Sequence, residues 1–391
     1  MNNKRSFKLP RFQDLSRRQR EARALPADGQ HLIQGGPGTG KSIVALMRCK
    51  LLEAENKNYL FLVYNQLLHK ATSQMYGDGF CSAQWQSWFI QYYKSHTNEE
   101  LPRLHSNKPF KPFNWDLIIQ TIRGRSPKNS KDLPYLVIDE GQDMPPQFYQ
   151  AIVEMGFENI YVTADQNQQL NEHENSTIKD IANSLALHTN KDVLKLDTNF
   201  RNNQFVANLA HYFNPDKNKE DAPKIDPHNT VSSGGMPTMF KYKEEQFNNM
   251  IQKILLLADR MPQRLIGIIT PNNDSIRDKY YKFLKNTRCS FQSGRPNIDT
   301  YSTKERFSEP RFDMGGILVI NAASCKGLEF DDIFVVDIDH SNVFDELTFN
   351  KSFYVMVSRS LGRVFFLRPN SYNKKVDALL PSPKDGLIDV K

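Results

Sequence analysis

At 391 residues, with 39% hydrophobic and 24% charged residues, the chain is long enough for two or three domains with full cores and has an ordinary globular make-up. No run approaches the roughly 18 apolar residues of a membrane span, and the basic N-terminus is followed by no apolar stretch of a secretory signal. Four scattered cysteines (Cys49, Cys81, Cys289 and Cys325) without a C-x-x-C pair disfavour a disulfide framework or a zinc site and point to a reducing cytoplasm, while a net charge of +7 modestly favours a polyanionic partner.

In chain order, His31-Leu32-Ile33-Gln34 reads as a short buried strand. Gly35, Gly36, Pro37, Gly38, Thr39, Gly40, Lys41 and Ser42 follow it and fit G-x-x-x-x-G-K-[ST] at every position. The glycines let successive backbone N–H groups converge on phosphate oxygens, Lys41 adds a point charge, and the Ser42 hydroxyl can ligate Mg²⁺. Ile43 to Met47 begin a helix whose N-terminus faces the anion. A strand, this loop and a helix in succession imply a nucleoside triphosphate site.

Leu60–Val63 reads as the next strand. Residues 84–131 then mix Trp85, Trp88, Phe89, Tyr92, Tyr93 and Trp115 with Lys108, Lys111, Arg123 and Arg125. That mixture suits nucleic acid. The spacing of Trp85, Trp88, Phe89 and Tyr92 is also that of one helix face packed into a core, and core packing is the favoured reading. Tyr135-Leu136-Val137-Ile138 is an apolar strand ending in Asp139-Glu140-Gly141-Gln142-Asp143. A parallel strand delivers its C-terminal end to the same sheet edge as the phosphate loop, so Asp139 can help hold Mg²⁺ and Glu140 can activate water. Strands at 160–162 and 193–194 complete a first set. A second set at 238–240, 265–269, 317–320, 333–336 and 364–367 implies another sheet, with the boundary near Asp197.

From these residues the chain resembles superfamily 1 helicases of the UvrD/Rep/PcrA type. D-E-x-Q-D at Asp139–Asp143 is characteristic of that group, and K-G-L-E-F-D at Lys326–Asp331 is close to its motif V. The resemblance continues in order. Leu15–Ala22 resembles the Q motif, with Gln19 as the adenine reader; Leu62–Asn65 occupies the place of motif Ia, which touches single-stranded DNA; Val162–Gln169 resembles motif III, with Gln168 as the γ-phosphate sensor. Asn199-Phe200-Arg201 stands for N-Y-R of motif IV, and Val357-Ser358-Arg359 belongs to motif VI. The resemblance implies that Arg201 and Arg359 are arginine fingers, that Phe200 stacks on adenine, and that Gly327 and Glu329 approach the nucleotide.

Positions that face nucleic acid in that family are altered. Leu170–Glu174 offers no base-stacking aromatic, Asn321 and Ala323 replace T-x-H, Gln84-Trp85-Gln86-Ser87 keeps only the serine of motif Ib, and Ile43 replaces an arginine over adenine. The expectation is an α/β protein of two RecA-like P-loop domains with mainly parallel sheets and ATP between them. Residues 1–196 would carry the phosphate loop, with 84–131 inserted; residues 197–391 would carry the arginine fingers, with 286–315 a reduced insertion. The implied activity is a Mg-ATP-driven translocase or helicase on single-stranded DNA, moving 3′ to 5′, with the choice between DNA and RNA left open. The alternative is an ATP-gated regulatory subunit for a protein partner, such as a nuclease or toxin of a genome-defence module. No membrane is expected in either case.

Overall fold

The computed structural model describes residues 5, 9–76, 80–106, 111–165, 167, 175–215, 224–225, 234–302, 310–341, 345–370 and 373–391. Gln168, residues 170–174 and Lys108 lie outside them. Contacts divide the chain into two compact units. Leu9–Ser73 and Asp78–Asp197 form the N-terminal unit; Thr198–Lys391, with Met1–Lys8 and Gln74–Gly77, forms the C-terminal unit.

The N-terminal unit is built on six strands: β1 (Gln30–Gly35), β2 (Tyr59–Val63), β3 (Ser82–Gln84), β4 (Tyr135–Ile138), β5 (Ile160–Ala164) and β6 (Val193–Leu196). Their order is β3-β2-β4-β5-β1-β6, with every pair parallel. Side chains alternate between the two faces of a strand, and both faces here are apolar. Leu32, Leu62, Leu136, Ile138, Ile160 and Val162 share one buried cluster with helices Trp85–Thr97, Trp115–Arg123, Pro146–Glu154 and Ile178–Ser184. Their neighbours Ile33, Phe61, Val63, Val137 and Tyr161 are equally buried outside that cluster, and helix Lys41–Ala54 packs against β1, β2, β4 and β5. Burial on both faces is why these strands read as continuous apolar runs rather than as alternation.

The C-terminal unit opens with a two-stranded parallel pair, β7 (Thr198–Asn199) and β8 (Lys224–Ile225). Its main sheet has β9 (Thr238–Tyr242), β10 (Leu265–Thr270), β11 (Ile298–Thr300), β12 (Gly316–Asn321), β13 (Phe330–Val336), β14 (Ser360–Pro369) and β15 (Asp389–Val390), in the order β11-β12-β10-β13-β14-β9-β15 and parallel throughout. Ile266, Ile268, Ile317, Val319, Phe334 and Val336 pack under helices Phe247–Arg260 and Asp274–Asn286. The fold is therefore α/β with two parallel sheets, the class implied by the motifs. Among the described residues no helix is long and apolar enough to cross a membrane.

Both segments read as insertions contribute to the sheets. Edge strand β11 lies within 286–315, and the 84–131 segment begins on the last residue of β3. Trp85, Phe89 and Tyr93 are buried, with the Trp85 and Phe89 rings 5.1 and 5.6 Å from Phe148. These three side chains do what a helical apolar face does, and pack the core. Trp88 and Tyr92 are half-buried and stack on each other at 5.2 Å beside Phe157.

Candidate nucleotide site

The sheet order decides which side chains meet. β5 lies between β1 and β4, with Ile33 opposite Thr163 on one side and Val162 opposite Ile138 on the other. The phosphate loop leaving β1 and the carboxylates leaving β4 therefore flank the end of β5. Gly40 takes a left-handed φ of 86°, and helix Lys41–Ala54 starts without a side-chain cap. Its first N–H groups are therefore not capped by a side chain, as an anion site requires. The Thr39 hydroxyl donates to Gly36 O at 2.8 Å, and Lys41 Nζ donates to the same carbonyl at 3.0 Å. Lys41 is only 6% exposed, and its ammonium lies 3.5 Å from Asp165 Oδ2.

Gln19 lies against this loop. Its Nε2 donates to Thr39 O at 2.9 Å, while its Oε1 accepts from Ser16 N at 2.9 Å in a capping box. A Cβ at residue 40 would stand 2.4 Å from Gln19 Nε2 and displace that amide, while the φ of 86° is what calls for glycine there. Both ends of the Gln19 amide are thus engaged with backbone.

The β4 edge is strained and tightly bonded. Asp139 Oδ1 accepts from Thr163 Oγ1 at 2.6 Å and from Glu140 N at 3.0 Å, and the Ser42 hydroxyl also bonds this carboxyl. Burial pushes the Asp139 carboxyl above its usual range and the Glu140 charge adds to that; the two hydroxyls pull the other way. Glu140 has φ 54° and ψ 42°, a left-handed conformation that costs a side-chain-bearing residue roughly 1–2 kcal/mol. Gln142, fully buried, holds it: Nε2 donates to Glu140 Oε2 at 2.6 Å, and Oε1 accepts from Asp165 N at 2.8 Å. Gly141 carries the chain past Val162 and Tyr149, where an added Cβ would lie 2.4 and 2.6 Å from their atoms. Lys41, Ser42, Asp139, Glu140, Gln142 and Asp165 form one connected group at one sheet edge.

Asp165 was not singled out from the sequence, although a signal exists. Ile160–Asp165 is an apolar strand ending in a carboxylate, the same pattern as Tyr135–Asp139.

In the C-terminal unit the residues that resemble motifs IV, V and VI converge. Arg201 pairs with Glu329, the residue preceding β13. Arg359 is 2% exposed at the junction of helix Glu346–Ser358 and β14; its Nε donates to Val355 O at 3.1 Å. Asn199 Oδ1 accepts from the N–H groups of Arg201 and Asn202 at 3.0 and 3.1 Å, shaping the turn that carries Arg201. Phe200 on that turn is half-buried. Gly327 has φ 80° and follows the buried Lys326.

Residues 30–231, just over half of the chain, match the Schlafen group 3 DNA/RNA helicase domain. The chain belongs to that family. No curated protein matches its sequence. Among solved structures it is similar to a Pif1 helicase described in the unwinding of forked duplex DNA, at 12% identity and TM-score 0.42 over 95% of each chain. It is also similar to the C-terminal domain of a possible DNA helicase from Lactobacillus plantarum WCFS1, at 16% identity and TM-score 0.34 over 49% of this chain and 97% of that one.

Within this Schlafen-family chain, the amides expected near nucleic acid make internal bonds. Asn65 Oδ1 accepts from Leu68 N at 2.7 Å. Gln84 donates to Tyr64 O and accepts from both the N–H and the hydroxyl of Ser87, capping helix Trp85–Thr97. Asn321 donates to Asp274 and accepts from Thr270 Oγ1. Of the candidate phosphate contacts among the described residues, Arg123 pairs with Glu154 at 2.7 Å and Arg125 with Glu99 at 2.8 Å. Lys111 is exposed. Arg295, in the 286–315 segment, turns back onto the carbonyls of Leu284 and Thr287 at the end of helix Asp274–Asn286.

Proposed function

We propose that this Schlafen-family chain is a Mg-ATP-dependent motor of the superfamily 1 class, a translocase or helicase that tracks single-stranded nucleic acid. The observation that carries the reading is the connected group at the ends of β1, β4 and β5. There Lys41 and Ser42 meet Asp139, Glu140 and Asp165 behind an uncapped helix start. Lys41 would neutralise the β- and γ-phosphates. Glu140, kept in place by Gln142, would orient the attacking water and take its proton. A hydroxyl beside a buried carboxylate is a hard-oxygen pair suited to Mg²⁺, so Ser42 and Asp139 would hold the ion. When bound, the ion would supply neutralisation of phosphate charge. Arg201 and Arg359 would act on the transferring phosphoryl group as arginine fingers, generally worth around 10³–10⁵ in rate. Gln168 would sense the γ-phosphate, and Gln19, Phe200, Gly327 and Glu329 would contact base and sugar. The DNA/RNA helicase family supports a nucleic-acid partner, and the resemblance to UvrD-like helicases implies single-stranded DNA and 3′-to-5′ movement.

A second reading rests on the paired arginines and committed amides of the nucleic-acid-facing segments. It is an ATP-gated subunit whose closure is read by a protein partner. Steady-state hydrolysis with and without single-stranded DNA or RNA, at low salt, separates the two. Stimulation that disappears in Lys41→Ala supports the motor. Hydrolysis indifferent to both nucleic acids, with no binding, defeats it in favour of the gated subunit.

A further inference from the structure

Asn202 follows Arg201 and is fully buried. Hydrogen bonds hold both its backbone and its side chain. Its backbone N–H donates to Asn199 Oδ1 at 3.1 Å, and its Oδ1 accepts from Asn199 Nδ2 at 3.0 Å. Its Nδ2 donates to Ser360 O at 2.6 Å and Ser358 O at 3.3 Å, the two carbonyls on either side of Arg359. Asn199 Oδ1 in turn accepts from Arg201 N. One pair of buried amides therefore binds the turn that carries Arg201 to the helix–strand junction that carries Arg359. These two segments lie more than 150 residues apart in sequence. A carboxamide suits this position because it presents one acceptor and two donors in a plane. In a buried site those donors are costly to leave unmade, which gives the tie a single geometry.

We infer that Asn202 is a positioning residue that sets both arginines as one rigid pair. The inference rests on the proposed arginine-finger roles and adds to them: the fingers are aligned with each other within the C-terminal unit before any nucleotide is engaged. Asn202 touches no reacting atom. It acts through the backbone at Arg201 and Arg359.

Asn203 provides the control. It is 5% exposed, caps helix Gln204–Tyr212 through Val206 N, and donates to Gly362 O at 2.7 Å, with no bond to either arginine or to the carbonyls beside them. In the full chain, Asn202→Ala should lower kcat by about 10²-fold with KM for ATP unchanged, the loss typical of a small misplacement of catalytic groups. Asn203→Ala should lower the melting temperature at least as much and leave the kcat of the folded protein unchanged. In an Arg359→Ala background, adding Asn202→Ala should cost far less than it does alone. Equal kcat losses in the two asparagine variants, or full additivity with Arg359→Ala, would make Asn202 merely structural and overturn the inference. If Asn202→Ala does not fold, Asn202→Leu keeps the backbone N–H and nearly the same volume while removing the side-chain acceptor and both donors without adding a charge; unchanged kcat there also overturns it. Unchanged kcat in Arg359→Ala alone removes the finger role, and this inference falls with it. A strong Arg359→Ala loss beside a silent Asn202 would overturn the positioning role alone.

Discussion

The phosphate-loop edge of the first sheet and the 84–131 segment both look functional in sequence, for different reasons. At the sheet edge the pattern is a demand on backbone: glycines where φ is positive, a lysine one residue after Gly40, a carboxylate where a buried strand ends. In 84–131 the pattern is only a kind of residue, aromatic and basic. The structure treats them differently. Asp139, Glu140, Gln142 and Asp165 share one hydrogen-bonded group that Lys41 joins by an ion pair to Asp165, whereas Trp85, Phe89 and Tyr93 pack the core and Arg123 and Arg125 pair with Glu154 and Glu99. Spacing tied to backbone geometry carries chemistry more securely than composition does.

The largest expected effect is at the sheet edge. Glu140→Gln should cut hydrolysis by roughly 10²–10⁴-fold while ATP binding survives, because the amide keeps the shape and loses the basicity. If single-turnover and binding measurements show affinity falling as far as turnover, Glu140 is structural and the contrast with 84–131 collapses. Trp85→Ala should cost about 3–5 kcal/mol of stability in urea unfolding, as removal of a buried aromatic does. Single-stranded DNA affinity per folded molecule should be unchanged. A stable variant that binds DNA weakly would return Trp85 to the nucleic-acid surface.

A smaller effect, on stability, has the opposite sign to that of Trp85→Ala. Asp139→Asn should abolish turnover yet stabilise the fold by about 1 kcal/mol, since it relieves a buried charge beside Glu140 and keeps an acceptor for Thr163. Because the folded pKa of Asp139 is raised, the contribution of this carboxyl is intact below the unfolded value and is lost as pH rises through the folded one. The gain from asparagine should therefore grow with pH across that window in thermal melts. A gain that shrank as pH rose would mean that Lys41 and the hydroxyls outweigh burial. The smallest expected effect is at the paired arginines. Reversing Arg123 and Arg125 together should change the log–log salt slope of DNA binding by less than one phosphate's share, about 0.7 on a single strand. A change near 1.4 would mean that both reach the backbone despite Glu154 and Glu99, and the 84–131 segment would be a binding surface after all.

Much of the fold was legible because buried parallel strands must be apolar on both faces, so β1, β2, β4, β5, β10, β12, β13 and β14 announce themselves as runs. β3, β11 and β15 did not. They are two or three residues long and owe their conformation to a neighbouring strand rather than to their own pattern.

What the sequence by itself determined is local: a loop that only glycines can form before Lys41, and carboxylates at the end of an apolar strand. These follow from φ, ψ and burial within about ten residues. Tertiary structure alone decided which strand ends became neighbours. Inserting β5 between β1 and β4 brought Asp165 to Lys41 and Gln142. It also decided which polar groups were already spent, with Gln19 on the phosphate loop, Gln84 on a helix cap and Asn202 on the two carbonyls beside Arg359. A residue's type states what it can bond. Only the packed chain supplies the partner, because the free energy of a buried amide depends on groups that lie far away in sequence.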